Sequence, residues 1–307
     1  MQSTQHILMI RPASFQKNEE TAKDNQFQKS SKDSAKNIRN KAIKEFDGLV
    51  EELRKNGVNV YVLQDTDLPV TPDALFPNNW ISTHNNGEIG VYPMKAENRR
   101  LERRDDVFSF LDQNGFLIED ITDYSEAEEE EYYLEGTGAI VLDRANEIAY
   151  CGRSERAHED VFIEFCEDFE FFPVLFDTTS ENGNSIYHTN VLMSITSHFM
   201  VVCLDVIKSK SDKKEILSHA KRSCKEILSI SEAQMNHFCG NVLEVKNERG
   251  ELILVMSTNA FTHFTKDQKS KIEQTHQIIH TSLETIEQLG GGSARCMMAE
   301  IFLPLKK

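Results

Sequence analysis

Apolar and polar positions follow one repeated order along most of this chain. A polar start leads into a short apolar strand, a turn, a second apolar strand, an amphipathic helix and a further strand. The turn sequences NNG and NERG between paired strands are typical of β-hairpins. Four segments carry the hairpin part of the pattern and begin at residues 79, 135, 188 and 240: NWISTHNNGEIGVYPM, EGTGAIVLDRANEIAYCG, HTNVLMSITSHFMVVC and GNVLEVKNERGELILVMS.

The starts of these segments are almost equally spaced. Asn79, Glu135, His188, Asn241 and Cys296 follow one another at intervals of 56, 53, 53 and 55 residues. A constant interval of this length is typical of a repeat architecture, in which each unit packs on its neighbours. The spacing therefore predicts five α/β units closed into a ring. Equivalent strand starts would then converge, so we expect Asn79, Glu135, His188 and Cys296 to line one central cavity.

Apolar residues at helical spacing predict two long helices, at residues 33–56 and 266–289. Gly57 and a glycine triplet after residue 289 stand where these helices should end. VNVYVL alternates as a strand after the first helix, and SARCMMAEIFLP reads as a final strand. No Pro- or Ser-rich linker divides the chain, so we predict one domain over residues 1–307, with the polar stretch 16–32 as a loop.

Composition and charge exclude several classes of protein. The apolar runs are too short to span a bilayer, and the N-terminus lacks the features of a secretory signal, so we expect a cytoplasmic protein. The net charge of −16 argues against nucleic-acid binding, which depends on Lys and Arg neutralising phosphates. The six cysteines form no C-x-x-C pair and no zinc-ligand spacing, so most are expected to be buried, reduced thiols.

Cys296 differs from the other cysteines in its surroundings. It follows the glycine triplet 290–292 and opens an apolar segment. Such a turn can leave backbone amides free to donate hydrogen bonds to a developing anion. His188 and Glu135 occupy equivalent places in their repeats, and a half-buried carboxylate such as Glu135 needs a partner. A thiol, an imidazole and a carboxylate in one cavity predict a nucleophile, a general acid/base and an orienting anion. Taken singly, each also has a purely structural explanation.

Five short motifs occur in order along the chain: FPNNW at residues 76–80, LEGTG around Glu135, CGRSERA around Arg156, YHTNVLM around His188, and GGGSARCMMAEIFLP around Cys296. Together they resemble the pentein superfamily of guanidine-modifying enzymes, which includes arginine deiminases, dimethylargininases and amidinotransferases. The resemblance runs over nearly the whole chain. It implies a five-bladed α/β propeller around a central active site, in agreement with the fivefold repeat.

The resemblance also implies roles for individual residues. The family's catalytic triad falls on Cys296, His188 and Glu135. The family's arginines for the substrate α-carboxylate fall on Arg156 and on either Arg99 or Arg100. The chemistry requires no metal or organic cofactor. The expected partner is a small amino-acid substrate, with neither nucleic acid nor membrane, and the oligomeric state stays open.

Two positions depart from the deiminase pattern. Where deiminases hold the guanidinium with two aspartates, this chain has Asn79 and Asn190. A carboxylate only accepts hydrogen bonds and suits a cation, whereas an amide both donates and accepts and suits a neutral urea. The sequence thus resembles the branch of the superfamily proposed to hydrolyse citrulline rather than arginine.

We therefore predict a cysteine-dependent hydrolase that forms a covalent S-carbamoyl or S-amidino enzyme, most simply converting citrulline to ornithine, carbon dioxide and ammonia. One alternative is another activity of the superfamily: arginine deiminase, dimethylargininase or amidino transfer. A second alternative is a catalytically silent propeller that binds an amino acid or a protein. A metalloenzyme built on His188 and Glu135 is a third, but its ligand spacing is missing.

Overall fold

The computed structural model describes residues 1–306 and shows a mixed α/β fold with five three-stranded sheets. The strands are β1 His6–Arg11, β2 Asn59–Gln64, β3 Ile81–Thr83, β4 Glu88–Val91, β5 Asp120–Asp123, β6 Ile140–Asp143, β7 Ile148–Gly152, β8 Phe172–Phe176, β9 Met193–Ile195, β10 Phe199–Val202, β11 Glu226–Ser229, β12 Leu243–Lys246, β13 Leu252–Ser257, β14 Gln277–Thr281 and β15 Ala299–Glu300. The α-helices are α1 Ala35–Lys55, α2 Glu97–Arg100, α3 Asp105–Gln113, α4 Gly136–Ala139, α5 Glu159–Asp168, α6 Thr189–Leu192, α7 Lys210–Arg222, α8 Glu232–Met235, α9 Thr258–His263, α10 Lys266–Ile272 and α11 Glu284–Gly290. Single 3₁₀ turns occupy Thr21–Lys23, Pro77–Asn79, Ser125–Glu130, Leu204–Val206 and Ala294–Met297.

All five sheets share one strand arrangement. In the sheet β3-β4-β5, the central strand is antiparallel to the first strand and parallel to the third. The sheets β6-β7-β8, β9-β10-β11 and β12-β13-β14 repeat this order. The fifth sheet, β15-β1-β2, joins the two ends of the chain, because Ile7 pairs with Glu300 and Leu8 with Ala299. The four predicted hairpins are therefore confirmed, and a fifth unit is assembled from both termini.

Helices connect the parallel strands of each sheet, as a parallel pair requires a crossover. The helix α1 connects β1 to β2, and α3, α5 and α7 connect the parallel pairs of the next three sheets. Both α9 and α10 lie between β13 and β14. The apolar core lies between these helices and the sheets. Across residues 1–306, every helix is too short or too polar to cross a bilayer.

The first long helix follows its sequence prediction closely. The side chain of Ser34 caps α1 by accepting the Asn37 N–H, and the helix continues to Lys55, just before Gly57. Each large apolar side chain buried from this stripe contributes about 1.5–3 kcal/mol relative to an exposed one. The buried stripe is formed by Ile38, Ala42, Phe46, Leu49 and Leu53.

The predicted helix at residues 266–289 is wrong. The capping box of Thr265 and Gln268 starts α10 as expected, but that helix ends at Ile272. The chain then forms β14, which pairs parallel to β13, and resumes as α11. The predicted final strand is also too long, since only Ala299–Glu300 pairs in the sheet and the segment before it is a 3₁₀ turn.

Candidate active site

A single helical turn precedes the first strand in four of the five units. These turns are Pro77–Asn79 before β3, α4 before β6, α6 before β9 and Ala294–Met297 before β15. The positions expected at strand starts therefore lie on these turns. Glu135 and His188 are the residues before α4 and α6, whereas Asn79 and Cys296 lie within 3₁₀ turns. All four side chains are buried.

The turns bring the predicted residues together. Asn79, His188 and Cys296 line one cavity, and Glu135 reaches it through a hydrogen bond of 2.8 Å between its Oε2 and His188 Nε2. Arg99 and Arg156 line the same cavity. Residues that lie more than 50 positions apart in the sequence therefore come together, because each unit repeats the same topology.

The surroundings of the His188–Glu135 pair lower the pKa of both side chains. Burial by itself would raise the pKa of Glu135, but Arg156 and His188 outweigh it and hold this pKa below its usual range. Burial lowers the pKa of His188, although its bond to Glu135 opposes the shift. A neutral imidazole beside an ionised carboxylate donates its Nε2–H to that carboxylate. The Nδ1 atom of His188 is then left as a proton acceptor.

Two asparagines contact the thiol of Cys296. The Nδ2 of Asn241 lies 3.2 Å from Sγ, and the Nδ2 of Asn190 lies 3.5 Å from it. Asn190 was predicted as a site residue and Asn241 was not. A signal for Asn241 exists in the sequence, because it occupies the same interval of the repeat as His188 and Cys296.

The glycine triplet packs closely beside Cys296, and one of its backbone amides is already engaged. The Gly291 N–H donates to the Glu287 carbonyl within the last turn of α11, so it is not free for an anion. The Gly291 carbonyl accepts a 2.6 Å hydrogen bond from the Tyr187 hydroxyl. Gly291 also has a φ of 67°, which favours glycine, and a Cβ on Gly292 would lie 2.9 Å from the Phe76 ring. The triplet therefore allows close packing behind Cys296.

Glycine is required at position 138 because the backbone of α4 lies very close to the side chains of Asn79 and His188. A Cβ at this position would lie 2.8 Å from His188 Nδ1 and even closer to Asn79 Nδ2. Real Cβ atoms essentially never come so near another heavy atom. The glycine of the LEGTG motif thus lets α4 pack directly against two of the site residues.

The structure separates the two candidate arginines. Arg99 is buried, and its Nη1 donates to Asn79 Oδ1 at 2.9 Å while Nε and Nη2 bind Glu102. Burial would lower the pKa of Arg99, but Glu102 and other acids outweigh it, so the pKa is raised. Arg100 is half-buried and directs its guanidinium to the Met94 carbonyl and to Glu128 instead.

Arg156 is fully enclosed by ionic partners. Its Nη1 lies 3.4 Å from Glu135 Oε2, and its Nε and Nη2 bind the carboxylate of Asp24. The guanidinium also lies over the Tyr187 ring, 5.0 Å from the centroid. Lys95 Nζ binds the same Asp24 at 2.7 Å. The predicted loop 16–32 therefore carries an acid into the site, a feature absent from the sequence interpretation.

This loop also lines the cavity. Thr21, Asn25 and Gln28 lie beside it together with Cys296, and the free space is about 10 Å³. Such a volume holds about one water molecule. The space is too small for an amino acid, so residues that line it must move when a substrate binds.

Asp73 is a further cavity residue that the sequence interpretation missed. Its side chain is buried, and its Oδ2 accepts a hydrogen bond from Asn18 at 2.8 Å. Its Oδ1 accepts no hydrogen bond from residues 1–306, although Arg99 Nε lies 3.8 Å from Oδ2. Burial raises the pKa of Asp73.

Among residues 1–306, no three His, Cys, Asp or Glu side chains come together in a way that holds a metal ion.

The chain resembles the guanidine-modifying pentein enzymes in its fold, as predicted. A family model described as "N,N dimethylarginine dimethylhydrolase, eukaryotic" matches residues 11–303. The chain therefore belongs to this family. No curated sequence matches the chain at a significant level.

Solved structures share the fold at low sequence identity. The apo structure of ArgZ, an arginine dihydrolase from Cyanobacteria, superposes with a TM-score of 0.75 at 16% identity over 98% of this chain. This chain spans 41% of that ArgZ chain. The N-terminal domain of ArgZ, as a cysteine-to-serine mutant bound to substrate, matches with a TM-score of 0.73 at 16% identity, over 97% of this chain and 99% of the domain. A Pseudomonas aeruginosa DDAH, a cysteine-to-serine mutant with citrulline, matches with a TM-score of 0.66 at 13% identity, over 97% and 99% of the two chains.

Proposed function

We propose that this protein hydrolyses the terminal ureido group of citrulline or a closely similar amino acid, with Cys296 as nucleophile and His188 as general acid and base. The observation that carries the proposal is the enclosure of the Cys296 thiol, the His188–Glu135 pair and oriented side-chain amides in one buried cavity. The products are ornithine, carbon dioxide and ammonia.

The charged side chains suit the α-amino-acid end of the substrate. Arg156 offers a guanidinium group that pairs with a carboxylate in a bidentate way. Arg99, already bound to Glu102 and Asn79, adds positive charge to the same cavity. Asp73 offers a buried carboxylate oxygen that accepts no hydrogen bond from residues 1–306. A zwitterionic amino acid presents a carboxylate and an ammonium to these two kinds of group. A free amino acid is therefore a better substrate class than a peptide or an amine.

The orientation of Asn79 favours a urea over a guanidinium. Its Oδ1 accepts a hydrogen bond from Arg99, which fixes the amide so that Nδ2 lies towards Gly138 and the cavity. One N–H of Nδ2 binds Asn78 at 3.2 Å, leaving the second as a donor. A urea carbonyl oxygen accepts such a donor, whereas a guanidinium carries only donors. This argument supports citrulline as the substrate.

In the proposed reaction, Cys296 transfers its proton to His188 and its sulfur adds to the carbon of the ureido group. The bond from that carbon to the substrate's δ-nitrogen breaks, and His188 delivers this proton to that nitrogen, so ornithine leaves. His188 then takes a proton from water, whose oxygen attacks the S-carbamoyl carbon. The carbon–sulfur bond breaks, sulfur takes the proton from His188 and becomes the thiol again, and the released carbamic acid decomposes to carbon dioxide and ammonia.

We further propose that the five sheets form the blades of one α/β propeller over residues 1–307. Three features support this. The sheets share one topology, β15 pairs with β1 to join the chain ends, and residues that precede four of the sheets (β3, β9, β12 and β15) line one cavity or contact its thiol. One domain with a central site is the arrangement that accounts for all of them together.

A second candidate is hydrolysis of arginine or N,N-dimethylarginine. The family match favours the methylated substrate, and ArgZ is an arginine dihydrolase. Both reactions would use the same thiol and imidazole. Steady-state kinetics decide between the candidates: kcat/KM is measured for citrulline, arginine and N,N-dimethylarginine with purified protein. A higher value for either guanidine than for citrulline would replace the ureido assignment by this second one.

The nucleophile is tested separately. Cys296→Ser is expected to abolish turnover of every substrate, because an alcohol at this position is a far weaker nucleophile than a thiol. Its melting temperature should remain close to that of the wild type, since the change is small. Intact mass of the wild type, quenched during turnover, should show the S-carbamoyl adduct, and the variant should show none. Wild-type turnover by Cys296→Ser would overturn the mechanism.

A further inference from the structure

The side chain of Asn241 is held in a single orientation beside the nucleophile. Its Oδ1 accepts the backbone N–H of Arg295 at 3.1 Å. Its Nδ2 donates to the Asn190 carbonyl at 3.1 Å and lies 3.2 Å from Cys296 Sγ. The side chain is fully buried. The Oδ1 atom and both N–H groups of Nδ2 are thus engaged. If the amide were reversed, its oxygen would face the carbonyl oxygen of Asn190, which cannot donate a hydrogen bond.

We propose that Asn241 is a further catalytic residue of this site, whose fixed N–H donor stabilises the thiolate form of Cys296. The inference rests on the proposed role of Cys296 as nucleophile. A hydrogen bond from a neutral donor to an anion is about twice as strong as one to a neutral acceptor. The N–H of Asn241 therefore favours the deprotonated sulfur over the thiol.

The neighbouring amide of Asn190 cannot replace this contact. Its Nδ2 is 3.5 Å from the sulfur, and its Oδ1 is 3.9 Å from the same atom. Either end of Asn190 can face Cys296, and this residue is also assigned to the substrate's terminal group. Asn241 is held on the other side by the backbone of the turn that carries Cys296. The N–H of Asn241 therefore remains hydrogen-bonded to the sulfur while the amide of Asn190 contacts the substrate.

The proposed contact acts at two steps of the reaction. A larger thiolate fraction at neutral pH speeds the attack, even though nucleophilicity falls as the thiol becomes more acidic, with a coefficient of about 0.4–0.5. In the second half, the carbon–sulfur bond breaks and sulfur departs as an anion, and a more stable thiolate leaves faster. Both half-reactions therefore gain from one hydrogen bond.

Two variants separate this role from a structural one. Asn241→Asp keeps the shape and the acceptor for the Arg295 N–H but loses the donor and adds negative charge beside the sulfur. Asn241→Ala loses both the acceptor and the donor. If the N–H donor stabilises the thiolate, Asn241→Asp lowers Cys296 reactivity more than Asn241→Ala does. If Asn241 only supports the turn, Asn241→Ala has the larger effect. Asn247→Ala is the matched control, because Asn247 is also a buried, hydrogen-bonded asparagine but lies in the β12–β13 turn.

The readout is the pH dependence of Cys296 alkylation by iodoacetamide, which requires no substrate. A Cys224→Ser background removes the exposed cysteine, and peptide mass spectrometry identifies the modified residue. We expect the thiolate fraction of Cys296 at neutral pH to fall about tenfold in Asn241→Ala and further in Asn241→Asp. The limiting alkylation rate at high pH should rise about threefold for each tenfold loss of thiolate, so alkylation at neutral pH should fall about threefold in Asn241→Ala. The Asn247→Ala control should match the background protein.

The thiolate absorbance, taken as the difference from Cys296→Ser, gives the same midpoint without depending on reagent access. An unchanged midpoint in Asn241→Asp overturns the proposal. A uniform loss of alkylation rate at every pH also overturns it, because that result indicates altered packing. These outcomes are independent of turnover: if Cys296→Ser were active, the proposed function would fail while the contact between Asn241 and the thiolate could still be measured.

Discussion

Asp24 occupies the position on Arg156 that a substrate carboxylate would need. Both the Nε and Nη2 of Arg156 bind the Asp24 carboxylate in the closed structure. We infer that the loop carrying Asp24 moves when an amino acid binds, because the cavity of about 10 Å³ is too small for one. We therefore predict that Asp24→Asn lowers KM for citrulline, because the substrate no longer competes with an internal carboxylate.

The magnitude follows from the two ion pairs of Asp24. The Arg156 side chain is 3% exposed and that of Asp24 is 19% exposed, so their contact is worth about 1.5–3 kcal/mol as a charged hydrogen bond. The contact with Lys95, whose side chain is 30% exposed, adds about 0.5 kcal/mol after screening. An asparagine recovers about 1 kcal/mol through neutral hydrogen bonds. The loop position seen here thus loses about 1–2.5 kcal/mol, and KM should fall by about fivefold to sixtyfold.

The assay is steady-state release of ornithine from citrulline by wild type and variant. Glu19→Gln is the matched control, because it removes one negative charge from the same loop at a side chain that is 80% exposed and pairs only with Lys17. A decarboxylated citrulline analogue gives a second control, since it has no carboxylate to compete with Asp24. An unchanged or higher KM for citrulline in Asp24→Asn, with the control unaffected, would refute the competition.

Three further predictions concern the cavity itself. Gly138→Ala should reduce kcat at least a hundredfold with little loss of melting temperature, because the new methyl group collides with two site residues; near-normal kcat would contradict the observed packing. The double variant Asn79→Asp, Asn190→Asp should shift kcat/KM from citrulline towards arginine by about a hundredfold, since each buried acid suits a cation; an unchanged ratio would contradict the amide argument. Because the pKa of Glu135 is lowered, its stabilising contribution is complete above its ordinary value of 4.5 and is lost as pH falls below it. Urea unfolding of wild type and Glu135→Gln between pH 7 and about pH 3 should show this loss in the wild type and a smaller one in the variant.

The repeat was predictable from sequence because it shows itself in two regular spacings. Apolar residues alternate with period two in the hairpin strands, and the units recur at a nearly constant interval because each contains one crossover and one hairpin. The segment 266–289 shows the limit of this reasoning. Ile272, Ile279, Leu283 and Ile286 fit a helical stripe, yet Ile279 belongs to β14. A buried strand flanked by two helical turns presents apolar residues at spacings that a single helix also satisfies, and pairing with β13 decides the outcome.

The parts of the site that sequence did not reveal depend on long-range contact. Asp24 binds both Arg156 and Lys95, and nothing near any of the three in sequence indicates this. Asp73 lies in a segment without a repeated pattern, and its role follows only from its burial beside Arg99. Arg99 and Arg100 were indistinguishable in sequence, since neighbouring residues on a short helix point in different directions. Here only one of the two faces the cavity.

Asn79, Asn190 and Asn241 differ in what fixes their amides, and this difference bears on specificity. Asn79 is held at its oxygen by Arg99 and Asn241 by the Arg295 N–H, so both present a donor. Asn190 has both ends within 3.9 Å of the sulfur and can turn either one to the substrate. An acid at position 79 would gain an ion pair with Arg99, whereas an acid at position 190 would stand about 3.5 Å from the thiolate. At an effective dielectric constant of about 20, that repulsion is about 5 kcal/mol unless a cationic substrate lies between them. A guanidinium would relieve the repulsion and a urea would not, so position 190 is where a single charge most directly separates the two substrate classes.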